Sequence, residues 1–207
     1  MSCTPPKAAT PGQYGIPTQN SFNAEKFSQA IELLLASCGV DTQNDHMKKT
    51  AQRVCKLWET RLLGGYQVDV SSALGNGFSD HREDMVLIKG ISVHGICPHH
   101  LVPFKGVAHV AYIPGGRLHG FGGVARMVDA LAHRFTYQEW LTRDIANAIV
   151  EFGEAQGAAC VLEAEQLCLL LGEDRRGDER VCTQAFSGIF EKSESLRGEF
   201  FSLLHKP

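Results

Sequence analysis

Residues 84–116 read DMVLIKGISVHGICPHHLVPFKGVAHVAYIPGG, and the fold turns on how they are parsed. MVLIKGISVHGI (85–96) is one extended run, and GVAHVAYIPGG (106–116) is a second, closed by a Pro-Gly-Gly turn. Between them lies CPHHLVPFK (97–105), where Pro98 and Pro103 break regular strand pairing and mark a site loop. Further on, AACVLEAEQLCLLLG (158–172) and RVCTQAFSGIF (180–190) form a second strand-like pair around a charged turn, GEDRRGDER (172–180). The two pairs are separated by helical patterns over Gly123–Phe135 and Tyr137–Gly153, the latter with Leu141, Ile145, Ala148, Ile149 and Phe152 at helical spacing. Two hairpins separated by a helical pair predict an α+β domain, an antiparallel sheet with helices packed on one face. A short helix around 193–204 closes the chain.

Upstream of this core the pattern is helical. Asn23 is placed to cap a helix carrying Phe27, Ala30, Ile31, Leu34 and Leu35 and ending near Gly39. A second amphipathic segment runs from about Asp45 to Leu63, with Val54, Leu57, Trp58 and Leu62 on one face and Gly64-Gly65 as its stop. Residues 66–83 read as a loop. Residues 1–20, rich in Pro, Gly, Thr and Gln, read as a flexible tail. The expected organisation is one domain over 21–207, with N-terminal helices at 21–65 and a core at 84–207.

Composition removes several function classes. A net charge of −3 with no Lys/Arg block argues against a nucleic-acid partner held by bulk charge. No apolar run approaches the roughly 18 residues of a membrane span, and the polar N-terminus does not resemble a signal peptide, so a cytoplasmic protein is expected. Seven cysteines without a disulfide-scaffold spacing fit a reducing compartment, where most would pack as small hydrophobes. Cys160 and Cys182 fit that description, and Cys97 and Cys168 are the candidates to escape it.

Cys97 and His100 are spaced C-x-x-H, so that one turn lets a thiolate and an imidazole reach one ion. Cys168 is the candidate third ligand; taken alone, mid-strand among apolar residues, it reads as a core thiol. CPHH taken alone reads equally as a metal site or as surface histidines. Three ligands leave a fourth position open, the arrangement of catalytic rather than structural zinc. His99 would then be a free imidazole beside the metal, suited to acid–base work, or else a hydrogen-bonding neighbour of the ligands. His94 and His109 fall on strands and read as structural. Gln138-Glu139 opens a helix, where a carboxylate complements the dipole but also suits the paired N–H donors of a guanine edge. Arg53, Lys56 and Arg126 are singly solvated charges, and together they would clamp a phosphate.

With these residues assembled, the chain resembles the GTP cyclohydrolase I family from about Asn44 onward. CPHHLVPFKGVAHVAYIPGG looks like the family's CEHHLVPFxGxxxVxYIP, TAQRVCKLW like TPxRVAKMW, YQEWLTRDIA like VQERLTxQIA, and LEAEQLC like IEAxHxC. The resemblance implies the tunnelling fold and a toroidal homodecamer with sites at subunit interfaces. It implies a zinc ion on Cys97, His100 and Cys168, with His99 catalytic and Glu139, with Gln138, anchoring a purine. Arg126, Arg53 and Lys56 would face the triphosphate, the last two from a neighbouring subunit. The implied chemistry is hydrolytic attack at C8 of the purine by zinc-bound water, with ring opening and loss of formate.

Departures cluster at this site. The family's second catalytic histidine is Gln166, which still hydrogen-bonds but takes up no proton near neutral pH. The family's G-L-S-K phosphate loop is G-F-G-G, with Gly122 and Gly123 in place of serine and lysine. The arginine four residues past the last zinc cysteine is Gly172, with Arg175 and Arg176 nearby but out of register, and Pro98 replaces the acid of CEHH. Each charge-assisted contact is worth about 1.5–3 kcal/mol, so losing two weakens triphosphate binding by roughly a few hundredfold. The expectation is therefore a zinc hydrolase acting on a purine- or pterin-like ring that lacks the triphosphate. Two alternatives stand beside it: a conventional GTP cyclohydrolase I producing 7,8-dihydroneopterin triphosphate and formate, in which Arg175 or Arg176 compensates, and a non-catalytic paralogue that binds a purine or pterin.

Overall fold

A computed structural model of the chain describes residues 21–172 and 179–206. The expected tail at 1–20 and the pair Arg175 and Arg176 lie outside the described residues. Asn23 caps α1 (Ala24–Ser37), its side-chain oxygen accepting from the Lys26 amide at 2.9 Å. The second segment is shorter than expected: α2 spans Thr50–Leu57, not 45–63. Residues 45–49 before it form turns rather than helix. The Asn44 carbonyl accepts from the amides of Met47 and Lys48 and its side chain from the amide of His46, so residues 44–48 close turns that compete with a helix. After α2 the chain widens into one π-helical turn, Trp58–Leu62, with Trp58 tilted against Phe27 at 5.4 Å and Phe135 at 6.2 Å. Leu57, expected on the apolar face, remains half exposed.

Residues 66–83 are more ordered than a loop. A 3-10 turn (Gly64–Gln67) leads to α3 (Val70–Leu74), capped by Asp69 and burying Val70, Ala73 and Leu74. A two-residue strand β1 (Phe78–Ser79) follows. An apolar pattern five residues long is too short to distinguish from a loop by period.

The main sheet has the order β2-β3-β5-β6, every pair antiparallel: β2 (Val86–Ile96), β3 (Pro103–Ile113), β5 (Gly157–Gln166) and β6 (Val181–Gly188). Pro103 does not lie in the loop but heads β3 opposite Ile96, a first-residue position that proline tolerates. Ile88 faces Val110 and Ile91 faces Ala108, so Lys89-Gly90 oppose His109 alone; Gly90 takes φ +76°, as such a bulge requires. The short β4 (Arg117–Leu118) pairs with β1, and α4 (Phe121–Ala132) and α5 (Gln138–Gly153) form the crossover between hairpins. The apolar run after β5 is not strand: it turns into α6 (Leu167–Leu170), so Cys168 stands on a helical turn beyond the sheet's end. After β6 come α7 (Ile189–Lys192) and α8 (Glu194–Leu204).

Alternation along the strands divides the core in two. Ala108, Val110 and Tyr112 of β3 with Cys160 and Leu162 of β5 meet Val124, Met127, Leu141 and Ile145 of α4 and α5. The intervening Ala111, Ile113, Ala159 and Val161 meet Phe190 and Phe200, so α7 and α8 cover part of the opposite face. The tunnelling fold expected from the sequence is thus present, with the helical pair on one face and this C-terminal addition on the other. Cys160 packs as a core thiol and burial pushes its pKa far up, but Cys182, expected to do the same, is exposed on β6. Among the described residues, no helix is long and apolar enough to cross a membrane.

Candidate metal centre and its cleft

The loop that carries Cys97 and His100 begins where β2 ends. The Leu101 amide donates to the Cys97 carbonyl at 2.9 Å and the Cys97 amide to the Val102 carbonyl at 3.1 Å, closing a single turn that brings Cys97 and His100 to one side. Leu101 takes φ +56° to do so while its side chain is 54% exposed, a strained conformation for a branched residue that burial does not explain. At the same end of the sheet, where Gln166 of β5 pairs with Phe104 of β3, α6 delivers Cys168. One ligand atom each from Cys97, His100 and Cys168 lies within 4.8 Å of the others, the one such group of three among the described residues. Ligand atoms around a tetrahedral zinc sit about 3.5–4 Å apart, so small side-chain adjustments seat one ion. Burial raises the Cys168 thiol pKa, and the neighbouring Cys97 raises it further by charge and hydrogen bond. A divalent cation reverses that penalty by favouring both thiolates. Two soft sulfurs and an imidazole fit zinc.

A cavity of about 210 Å³ opens beside this group, lined by Cys97, His99, Glu139, Gln138 and Gln166 among others. Five residues singled out in the sequence therefore converge on it. Glu139 sits in the first turn of α5 with its side chain exposed. Gln138 is only 3% exposed and its amide is engaged inward, donating to the carbonyls of Leu162 (3.0 Å) and Val181 (2.8 Å). Its oxygen accepts from Gln166 Nε2 at 2.6 Å. Gln138 thus lines the cavity with its amide already engaged, and it is linked there to Gln166. Sequence reasoning missed Tyr137, which caps α5, lines the same cavity and places its hydroxyl 3.0 Å from His99 Nε2. The signal was present: YQEWLTRDIA carries tyrosine where VQERLTxQIA carries valine.

The cations do not join this cavity within one chain. Arg126 donates to the Ala73 carbonyl at 3.2 Å and lines a separate cleft of about 560 Å³ together with Arg61, Asp129 and His133. Arg53 donates to the His46 carbonyl and Thr50 hydroxyl on α2, and Lys56 is exposed on the same helix. The departures in the phosphate loop have a packing counterpart. A Cβ at Gly123 would lie 2.2 Å from the Leu74 carbonyl oxygen of α3, so no side chain fits there, while at Gly122 the nearest atom is Arg126 Nη1 at 3.4 Å. The described cation nearest the charged turn in sequence, Arg180, bridges Glu163 and Glu165 at 3.1 Å each.

The chain matches the family described as GTP cyclohydrolase I across residues 27–205. It is 57% identical over 191 residues to GTP cyclohydrolase 1 of Ralstonia nicotianae, covering 92% of this chain and 91% of that protein. The GTP cyclohydrolase 1 of Chromobacterium violaceum is 57% identical over 89% of this chain and 90% of its own length. That of Corynebacterium glutamicum is 38% identical over 88% and 94%.

Proposed function

The chain belongs to the GTP cyclohydrolase I family, and from that premise we propose that it hydrolyses the imidazole ring of GTP, releasing formate and forming 7,8-dihydroneopterin triphosphate. This favours the conventional alternative over the altered-substrate expectation, because close relatives carrying the name GTP cyclohydrolase 1 match nearly end to end. The observation that carries the reading is a small cavity lined by Cys97, His99 and Glu139, with Cys97 also a member of the Cys97–His100–Cys168 group beside it.

Zinc, when bound by Cys97, His100 and Cys168, supplies a Lewis acid that makes water nucleophilic near neutral pH. Glu139 holds the purine through paired N–H donors on its carboxylate, which fixes the ring's orientation. His99 moves the proton between water and the ring nitrogen released from C8. Gln166 contributes a hydrogen bond and no proton transfer. Arg53 and Lys56 bind the triphosphate from a neighbouring subunit. Arg126, which was expected to act within the same subunit but lines a separate cleft there, is assigned to a neighbouring copy as well, so the sites are composite and need a homo-oligomer.

A second reading, hydrolysis of a ring lacking the triphosphate, draws on Gly122, Gly123 and Gly172 and on the tight packing at Gly123. Turnover of GTP, guanosine and guanine by the zinc-loaded protein separates the two, with formate and pterin products read by mass spectrometry and Cys97→Ala as blank. Turnover of GTP with a KM well below that for guanosine supports the first; turnover of guanosine with GTP ignored supports the second.

A further inference from the structure

Gln166 leaves the cleft with one imidazole among its described lining residues, and that imidazole is in contact with a group that the family motif does not carry. The Tyr137 hydroxyl lies 3.0 Å from His99 Nε2, with the two rings 4.7 Å apart and inclined at 43°. The tyrosine is itself held. Its ring meets Trp140 edge-on at 4.4 Å, and its carbonyl accepts from the Leu141 amide at 2.9 Å and the Thr136 hydroxyl at 3.1 Å. The hydroxyl is thus delivered by the first turn of a helix rather than by a free loop. The direction of this bond follows the imidazole tautomer: with the ring proton on Nδ1, the phenol O–H donates to Nε2.

We propose that Tyr137 is a positioning residue of the ring-opening reaction: its phenol holds His99 in one orientation and in the Nδ1–H tautomer beside the metal cleft. With Gln166 tied to Gln138 at 2.6 Å, this contact substitutes orientation of the one remaining histidine for the second histidine of the family pattern. The proposal rests on the reading of His99 given above. Held so, His99 offers Nδ1–H as the proton for the ring nitrogen released from C8, and the wrong tautomer would offer a lone pair where that proton is needed.

The test uses the zinc-loaded, full-length protein and Tyr137→Phe, which keeps the ring contacts and removes only the hydroxyl. The expected result is a kcat for GTP lower by roughly tenfold to a hundredfold, with KM within about twofold of wild type. Magic-angle-spinning ¹⁵N spectra of histidine-labelled protein, with the His99 signals assigned by loss in His99→Gln, report the tautomer without any turnover. Wild type is expected as Nδ1–H and Tyr137→Phe as a mixture. A kcat unchanged in Tyr137→Phe, a matching rise in KM alone, or a wild-type His99 in the Nε2–H form each overturns the proposal. Absence of GTP turnover by wild type would instead remove the ring-opening reading, and the spectra still decide the Tyr137–His99 contact.

Discussion

Cys97 and His100 are set by one local turn, whereas Cys168 comes from a distant part of the chain, on α6 just past the end of β5, so the candidate metal centre is only as complete as the packing of α6. Cys168→Ala is therefore expected to lose bound zinc as fully as His100→Ala does, and GTP turnover with it. Metal content by inductively coupled plasma mass spectrometry, before and after chelation and zinc readdition, checks this; a Cys168→Ala protein that keeps stoichiometric zinc would remove Cys168 from the ligand set. Gln138 is the other residue whose role packing decides. Replacing it by leucine leaves the Leu162 and Val181 carbonyls and the Gln166 amide without their partner. The expected cost is about 2 kcal/mol in chemical denaturation. The ligand triplet was legible from CPHH and from the likeness to the family. The inward-facing amide of Gln138 and the Tyr137 contact were not, because their partners lie 24 to 43 and 38 residues away in sequence.

At the scale of elements, the approach of α3 to α4 governs the phosphate loop. Gly123→Ala places a Cβ against the Leu74 carbonyl and is expected to destabilise by about 3 kcal/mol, since backbone cannot yield as a side chain can. Gly122→Ser, with room at its position, is expected to be neutral in the same thermal melts. Equal behaviour of the two would show that the contact is not rigid. The cap of α3 adds a pH signature. Hydrogen bonds from the Ser72 hydroxyl and then its amide hold the Asp69 carboxyl below the ordinary carboxylate range. A depressed folded pKa means that this contribution is complete above the unfolded value of about 3.9 and is lost as pH falls through the lower folded value. Asp69→Asn should therefore melt below wild type at pH 7 by a margin that shrinks on acidification, and a margin constant down to pH 2.5 would contradict the linkage. The strands and long helices were legible because their periods run over eleven or more residues in β2, β3, α4 and α5. α3 and the late start of α2 were not, since five residues carry no period and side chain-to-backbone turns at Asn44 override an amphipathic pattern.

For the whole molecule, the separation of the cations from the metal cavity is the consequential fact. No residue of α1 is buried in the single chain, and Leu33 and Leu34 are exposed on it, as expected of a helix completed by other copies. If the sites are composite, Cys97→Ala and Arg126→Ala chains, each inactive alone, should recover about a quarter of wild-type turnover when co-assembled at random in equal amounts. Recovery of none, with mixed oligomers demonstrated by native mass spectrometry, would place metal and cations in one chain's site. The strand runs, the principal helices and the C-x-x-H spacing of Cys97 and His100 were legible in the sequence itself, because periodicity, residue chemistry and spacing are local quantities, while Cys168 as their third member and the departures Gln166, Gly122 and Gly123 were legible only through the likeness to the family. Tertiary structure alone decided that Cys168 stands on a helical turn, that Gln138 faces inward, that Gly123 admits no side chain and that Tyr137 meets His99. The last three are contacts between segments far apart in the chain, set by how sheet and helices pack rather than by any residue's own propensity, while the turn at Cys168 is a local one whose apolar run is too short to tell from strand by period.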